Sequence, residues 1–119
     1  SVCGVLATDF NQARRKDYTD REWAVIRAGL RKPWVRQPED DGVADLLEHA
    51  GWMCAYDSPS AKRNFQGTGA PPLTHWTGTT VDYPYVCALG RSIEVKRTHI
   101  IYTSLSDHLP VVTDVVVTL

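Results

Sequence analysis

Two short apolar runs near the ends of the chain constrain its fold more than any other feature. Val2–Leu6 and Val111–Leu119 are rich in β-branched residues and carry almost no charge. Runs of this kind predict strands, and the first predicts a strand of a sheet that is covered on both faces. Polar residues that flank two such strands can converge from distant parts of the chain.

Two helices are predicted between these strands. Thr19-Asp20-Arg21-Glu22 is a capping-box pattern and predicts a helix that continues to Leu30. A second helix is predicted after Asp40-Asp41, and Gly51 follows it where a left-handed residue ends many helices. The predicted apolar face of this second helix consists of Val43, Leu46, Leu47 and Ala50.

The remainder of the chain favours strands. Trp52–Tyr56 predicts a short strand, and the polar, proline-containing segment Asp57–Pro72 predicts a long surface loop. Further strands are predicted within Thr74–Val86 and over Ser92–Tyr102, both rich in β-branched and aromatic residues. This order of one strand, two helices and several strands predicts an α+β fold.

Composition narrows the classes of function. A chain of 119 residues fits one domain, and its 13 Lys and Arg residues nearly balance 14 Asp and Glu residues. Local charge or a metal ion must therefore hold any anionic substrate. Cys3, Cys54 and Cys87 are odd in number and far apart, which favours buried free thiols and an intracellular setting. No apolar stretch reaches the length of a membrane span.

Three short acidic motifs lie beside or within the predicted strands. Asp9-Phe10-Asn11 follows the first apolar run, Ser106-Asp107-His108 precedes the last, and Val81-Asp82-Tyr83 lies within an apolar run. The first two are also typical of ordinary polar turns, and Asp82 could instead face solvent on an edge strand. If Asp82 is buried, its carboxylate needs a partner, and a histidine imidazole is the natural one.

Together, in this order, the three motifs resemble the C-terminal half of the endonuclease/exonuclease/phosphatase family. These metal-dependent phosphoesterases include deoxyribonuclease I, abasic-site endonucleases, inositol phosphatases and neutral sphingomyelinases. The resemblance extends from Asp9 to Val112. It implies a divalent-metal-dependent phosphoester hydrolase, a nuclease or other phosphodiesterase or a phosphatase, that uses Mg²⁺ or Mn²⁺.

The resemblance also implies a role for each motif residue. Asp9 would activate or orient the attacking water, with a second metal ion as a further possibility, and Asn11 would contact the phosphate oxygens. Asp82 would orient His108, and protonated His108 would donate a hydrogen bond to a non-bridging phosphate oxygen. Asp107 would help to hold the divalent ion.

Three residues outside the motifs are candidates for substrate binding. Arg14 and Arg15 follow the first motif and could steer an anionic substrate, although a solvated charged turn is the simpler explanation. Trp76 precedes the strand of Asp82 and could stack on a base or close over a head group. The alternative for Trp76 is a tryptophan of the hydrophobic core.

By resemblance, residues 1–119 are the C-terminal portion of one domain, half of a four-layer αββα sandwich with two helices on one face of a mostly antiparallel sheet. The absent N-terminal half would supply a Glu ligand and cover an apolar face. We therefore expect the chain alone to be inactive and that half to be a required partner. The substrate would be a phosphoester in nucleic acid, a small molecule or a lipid. Two alternatives are a retroelement endonuclease module and a non-catalytic interaction module.

Overall fold

A computed structural model describes residues 3–10, 13–29, 42–64, 74, 80–88 and 92–118. Its elements in chain order are strand β1 (Cys3–Asp9), helices α1 (Asp20–Gly29) and α2 (Gly42–His49), strand β2 (Met53–Cys54), helix α3 (Pro59–Asn64), and strands β3 (Asp82–Ala88), β4 (Ser92–Ile100) and β5 (Val111–Thr118). Single 3₁₀ turns occur at Arg15–Asp17 and Ala55–Asp57. This part of the chain confirms the predicted α+β class.

Two antiparallel sheets contain these strands. The first has the order β1-β3-β2, and β4 and β5 form the second as a hairpin. Strand β1 pairs with β3 along its whole length, so that Cys3 lies opposite Ala88 and Asp9 lies opposite Asp82. The irregularity between Val95 and Arg97 shifts the register of the hairpin by one residue. The two chain ends thus contribute to different sheets.

Aromatic residues of β3 form the centre of the core. Tyr83 and Tyr85 are 1% and 0% exposed, and they pack with Cys54 and Tyr56. Phe10, the residue after β1, stacks on Tyr83 with 5.6 Å between ring centroids. This packing fixes the end of β1, where Asp9 lies, against the beginning of β3.

A smaller apolar cluster joins the two sheets. Val86 of β3, Ala55 and Val95 of β4 are buried together, and Ile93 and Val115 pack against them. The hydroxyl of Ser60 donates a 2.7 Å hydrogen bond to the main-chain oxygen of Val95. These contacts hold the β4–β5 hairpin, and therefore the loop at its end, against the first sheet.

Both predicted helices are present, and the capping box of the first is formed; Asp40 and Asp41, the predicted cap of the second, lie outside the described residues. The main-chain N–H of Thr19 donates to the Glu22 carboxylate at 2.7 Å, and the N–H of Glu22 donates to the Thr19 hydroxyl at 3.2 Å. Gly51, after α2, has a φ of 90°, the left-handed region that favours glycine. Leu30, the predicted end of the first helix, lies outside the described residues.

The predicted apolar face of α2 is partly wrong. Of the predicted residues, only Leu47 packs against the core. Val43 and Leu46 are 43% and 73% exposed, and Ala50 lies after the end of α2 and is exposed, whereas Ala44, which was not predicted, is buried. The apolar arc of this helix is wider than the surface it contacts, so periodicity alone did not identify the inner residues.

No helix among the described residues is long and apolar enough to cross a membrane.

The segment after α2 differs most from expectation. The predicted strand Trp52–Tyr56 is only Met53–Cys54, because the chain then enters a 3₁₀ turn. The predicted loop contains helix α3 instead. The Ser58 hydroxyl accepts a hydrogen bond from the N–H of Ala61 at 3.3 Å, and Pro59 occupies the first turn, where its missing N–H costs nothing.

The expectation of buried free thiols is confirmed for two cysteines. Cys54 and Cys87 are both buried and carry no disulfide. Burial raises the pKa of the Cys54 thiol to about 12. A thiol in such an environment stays protonated and packs as a small apolar side chain.

Candidate functional site

Two carboxylates face each other where β1 and β3 meet at one end of the first sheet. Asp9 is the last residue of β1, and Asp82 is the first residue of β3 and its direct partner. Side chains directly opposite each other in an antiparallel pair project from the same face, so like charges there destabilise the sheet. The pair therefore favours a cation between or beside its two carboxylates.

His108 is the group that lies beside this pair. Its Nδ1 is 2.9 Å from Oδ2 and 3.2 Å from Oδ1 of Asp82. An ionised carboxylate can only accept hydrogen bonds, so Nδ1 carries a proton and donates a hydrogen bond to Asp82. The opposite ring nitrogen, Nε2, lies 3.8 Å from Oδ2 of Asp9. The imidazole therefore lies between the two carboxylates.

The β4–β5 loop delivers His108 to this position. The N–H of Ile101 donates to the oxygen of Pro110 at 2.9 Å and closes the base of the loop. Within it, the N–H of His108 donates to the Ser106 hydroxyl at 3.2 Å. The N–H of Leu109 donates to the main-chain oxygen of Thr74 at 2.8 Å. The loop is thus tied both to itself and to the rest of the molecule.

The surrounding charges favour the protonated imidazole. The hydrogen bond to Asp82 raises the pKa of His108 above 6.5, partial burial opposes this rise, and the negative charges of Asp82, Asp9 and Asp107 add to it. The side chains of His108, Asp9 and Asp82 are 30%, 39% and 20% exposed. The neighbouring carboxylates therefore favour the charged imidazole, and the site is open to solvent.

The same three residues have the donor set of a divalent-cation site. One ligand atom from each of Asp9, Asp82 and His108 lies within 4.8 Å of the others. Carboxylate oxygens are the ligands that Mg²⁺ and Mn²⁺ prefer, and Mg²⁺ commonly uses only one or two of them and retains several waters. Asp9 is the best placed to hold such an ion, because it is the most exposed of the three.

Asp107, the predicted metal ligand of the last motif, is not part of this cluster. Its side chain is exposed and its Oδ1 accepts a 3.4 Å hydrogen bond from the Ser106 hydroxyl. It contributes to the site through its charge on His108. The structure thus brings together Asp9, Asp82 and His108, while Asp107 lies beside them.

Arg14 does not have the position expected of a substrate contact. It is 1% exposed, and its guanidinium donates hydrogen bonds of 2.6 and 3.0 Å to Asp17 and two of 3.0 Å to Asp57. It also lies over the ring of Tyr83, with 5.2 Å to the centroid. The prediction that Arg14 binds substrate is therefore wrong. Its guanidinium is buried and bound by two carboxylates, so its role is structural.

Arg15 also makes internal contacts, although it is only half-buried. Its Nη1 donates to the main-chain oxygen of Tyr18 at 2.7 Å, its Nη2 pairs with Asp20, and its guanidinium lies 5.4 Å from the ring centroid of Trp23. Its role in steering substrate stays a prediction. Asn11 and Trp76, the other two predicted contacts, lie outside the described residues.

Sequence reasoning missed two residues that contact the site. Thr74 and Tyr56 are 0% and 3% exposed, and both hydrogen-bond to the main chain of Asp82. The sequence predicts only that Thr74 begins a segment leading to the strand of Asp82 and that Tyr56 ends a strand, and it predicts no hydrogen bond from either to Asp82. A buried hydroxyl next to a motif residue leaves no local pattern, so only the three-dimensional structure identifies these contacts.

Comparisons with family models, with curated proteins and with solved structures found no match to this chain. Its function is therefore inferred from the residues of the site and the distances between them.

Proposed function

We propose that this chain carries the Asp–His part of a divalent-metal-dependent phosphoester hydrolase site of the endonuclease/exonuclease/phosphatase type. The enzyme would act as a nuclease, another phosphodiesterase or a phosphatase. One observation carries the proposal: the His108 imidazole lies between Asp82 at 2.9 Å and Asp9 at 3.8 Å, in a site that solvent can enter. His108 is 30% exposed, so it is not a histidine of the buried core.

His108 is suited to donate a proton or hydrogen bond to a phosphoryl oxygen. Asp82 holds Nδ1, so the ring presents Nε2 to an incoming group. The raised pKa of His108 keeps the imidazole protonated over a wider range of pH than an isolated histidine. A donor fixed in this way stabilises the charge that builds on the phosphoryl oxygens without reorganising during the reaction.

Asp9 is suited to act on the attacking water. Its carboxylate lies 3.8 Å from Nε2 of His108 and is 39% exposed, so a water molecule can reach it beside the imidazole. A carboxylate in hydrogen-bond reach of a water orients it and accepts its proton as the new bond forms. When bound, a divalent ion held by Asp9 and by phosphate oxygens would supply Lewis-acid stabilisation of the leaving group and the phosphoryl charge.

The charge of the site fits a reaction that needs a metal ion. Asp9, Asp82 and Asp107 bring three carboxylates to one protonatable histidine, so an anionic phosphoester alone would be repelled. A divalent cation held by Asp9 would offset this negative charge and allow the phosphoester to bind. The chain as a whole is nearly neutral, with 13 basic and 14 acidic residues, so its net charge does not attract an anionic substrate and local groups must do so.

The test is hydrolysis by the full-length protein in the presence and absence of Mg²⁺. Suitable substrates are bis-(p-nitrophenyl) phosphate, nicked DNA and abasic DNA, with p-nitrophenyl phosphate for phosphomonoester activity. We expect His108→Ala to lower kcat by about 100-fold or more, because it removes the positioned donor. EDTA is expected to abolish the activity, and added Mg²⁺ or Mn²⁺ to restore it.

His49→Asn is the matched control for the loss of a histidine. His49 is exposed on α2, and its Nδ1 contacts the main-chain oxygen of Asp45 rather than any site residue. Its removal is expected to leave kcat unchanged. Metal-dependent activity that survives in His108→Ala would contradict the proposal. No activity in any folded variant would favour a non-catalytic module instead.

A further inference from the structure

A buried threonine connects the two segments that carry Asp82 and His108. Thr74 is 0% exposed, and its hydroxyl oxygen accepts hydrogen bonds from the main-chain N–H groups of Val81 at 2.9 Å and Asp82 at 3.3 Å. Its own main-chain oxygen accepts the N–H of Leu109 at 2.8 Å. One residue therefore contacts the beginning of β3 and the residue that follows His108.

Tyr56 binds the main-chain oxygen of Asp82, the residue whose main-chain N–H Thr74 binds. Its hydroxyl donates a 2.9 Å hydrogen bond to the main-chain oxygen of Asp82. Asp82 therefore has its N–H bound by Thr74 and its oxygen bound by Tyr56, and both of these side chains are buried. A carboxylate on a backbone fixed at both peptide groups has little freedom to move away from the imidazole.

We propose that Thr74 is a positioning residue, which sets the distance between Asp82 and His108 by holding both segments at once. The importance of this distance for catalysis rests on the proposed phosphoesterase function, whereas the positioning itself does not. The separation of 2.9 Å between Nδ1 and Oδ2 leaves little room for error. A small displacement of either segment would weaken a hydrogen bond and misalign a donor.

The hydroxyl of Thr74 is the part that this role requires. The N–H of Val81 points to it from a residue that is 5% exposed, so an apolar side chain at position 74 would leave a buried donor without its acceptor. Serine supplies the same oxygen and lacks only the methyl group. Valine supplies the same shape and lacks the oxygen. The two substitutions therefore separate hydrogen bonding from packing.

The experiment measures the His108–Asp82 hydrogen bond directly. The full-length protein is labelled with ¹⁵N-histidine, and the proton on Nδ1 of His108 is observed by NMR at low temperature. A proton donated to a carboxylate resonates downfield and exchanges slowly with water. Asp82→Asn and His108→Asn assign the signal, and the test variants are Thr74→Val, Thr74→Ala and Thr74→Ser.

Thr98→Val is the matched control. Thr98 is also 0% exposed, and its hydroxyl lies 3.4 Å from that of Thr113 in the β4–β5 hairpin. This substitution removes an equally buried hydroxyl, but not one that contacts Asp82 or Leu109. It reports what general loss of stability does to the signal.

We expect Thr74→Val and Thr74→Ala to shift the signal upfield and to speed its exchange about tenfold, while Thr74→Ser and Thr98→Val retain it. An unchanged signal in a folded hydroxyl-free variant, or an equal loss in Thr98→Val, would overturn the proposal. If neither hydroxyl-free variant folds, Thr74→Ser decides: loss of the signal there would assign the effect to the methyl group and overturn the role of the hydroxyl.

Kinetics add a second readout. We expect the folded hydroxyl-free variants to lower kcat about tenfold with KM changed less than about twofold, and Thr74→Ser to restore kcat. An unchanged kcat would overturn the catalytic importance of the positioning. If the wild-type protein hydrolyses none of the substrates, the proposed function fails, and the NMR comparison still decides whether Thr74 positions the pair.

Discussion

Two groups of charged residues in this molecule differ in how deeply their central basic residue is buried: Arg14 is 1% exposed and His108 is 30% exposed. In the first, Arg14 donates paired hydrogen bonds to Asp17 and to Asp57, and Lys16 donates to Glu48. The second group consists of Asp9, Asp82 and His108, and only its Asp82–His108 contact is within hydrogen-bond distance. For clarity we call these the arginine cluster and the histidine cluster.

The difference between the clusters separates structure from chemistry. Burial of Asp57 favours its neutral form, but the hydrogen bonds and charge of Arg14 outweigh this and hold its pKa below the usual value. Arg14 itself is only 1% exposed, so its partners enclose it and a substrate cannot reach it. In the histidine cluster Nε2 of His108 lies 3.8 Å from Oδ2 of Asp9, and the two side chains are 30% and 39% exposed, so water or an ion can reach them. A histidine with a raised pKa at a position that solvent can reach is a candidate for function, whereas a buried arginine is not.

The largest effect on stability is expected at the centre of the arginine cluster. Arg14→Met would leave the Asp17 carboxylate, which is 6% exposed, without its cation, and we expect a loss of about 3–5 kcal/mol in the free energy of unfolding. Urea denaturation measures this loss. Arg15→Met is the control, because its partner Asp20 is 98% exposed and such a pair contributes at most about 1 kcal/mol. A stable Arg14→Met protein that binds substrate weakly would reverse our interpretation of this cluster.

The opposite pattern is expected for the histidine cluster. Asp82→Asn keeps the shape of the side chain and removes the charge that favours protonated His108, so we expect kcat to fall about 100-fold. The free energy of unfolding should change by less than about 1 kcal/mol, because the like charge opposite Asp9 is also removed. Steady-state kinetics and urea denaturation of the same preparation provide both values. A large loss of stability with normal kcat would make this pair structural.

Divalent cations should bind at the histidine cluster and not at the arginine cluster, so their effect on the free energy of unfolding should depend only on the first. Binding of Mg²⁺ or Mn²⁺ to the folded protein should raise the free energy of unfolding by about 2.7 kcal/mol at a concentration of about 100 times Kd. Asp9→Asn should abolish most of this gain, because it removes the most exposed carboxylate of the histidine cluster. Asp57→Asn is the comparison in the arginine cluster and should retain the gain. Thermal denaturation with and without the metal measures it.

The smallest expected effect concerns pH. In metal-free protein the His108 imidazole should titrate above 6.5, and its pKa should fall towards that value in Asp82→Asn. A histidine whose pKa is higher in the folded protein contributes stability below its unfolded pKa of about 6.5, and this contribution is lost as pH rises through the folded pKa. As pH rises from about 6.5 through the folded pKa of His108, the free energy of unfolding should therefore fall slightly more for the wild-type protein than for Asp82→Asn. An NMR titration of His108 that gives the same pKa in both proteins would refute this.

The features that sequence reasoning predicted correctly are local ones. The capping box at Thr19 and the glycine at position 51 depend on contacts within one turn of helix, and both are present. Strands β4 and β5 coincide with the β-branched runs that predicted them, and each strand begins at the first residue of its run. Helix α3 was missed because a Ser-Pro cap within a polar, proline-containing segment is also typical of a loop.

The residues of the site were recognisable from sequence, and most of their environment was not. Asp9, Asp82 and His108 stand in motifs at strand ends, which made them candidates before any coordinates. Arg14 was also a candidate, because a basic residue beside a motif looks the same whether it faces solvent or the core. Its partner Asp57 is 43 residues away, at the edge of a segment predicted to be a loop.

The sequence by itself determined the α+β class, the capping box of α1, the glycine after α2 and the identity of the chemical groups, because hydrophobic period and capping chemistry act over a few neighbouring residues. Only the tertiary structure decided which of those groups meet. The β1–β3 register set Asp9 opposite Asp82, and the β4–β5 loop brought His108 to them across 26 residues. Such pairing depends on the packing of the whole core and on the cost of leaving a buried charge alone, and neither is encoded in a short stretch of chain.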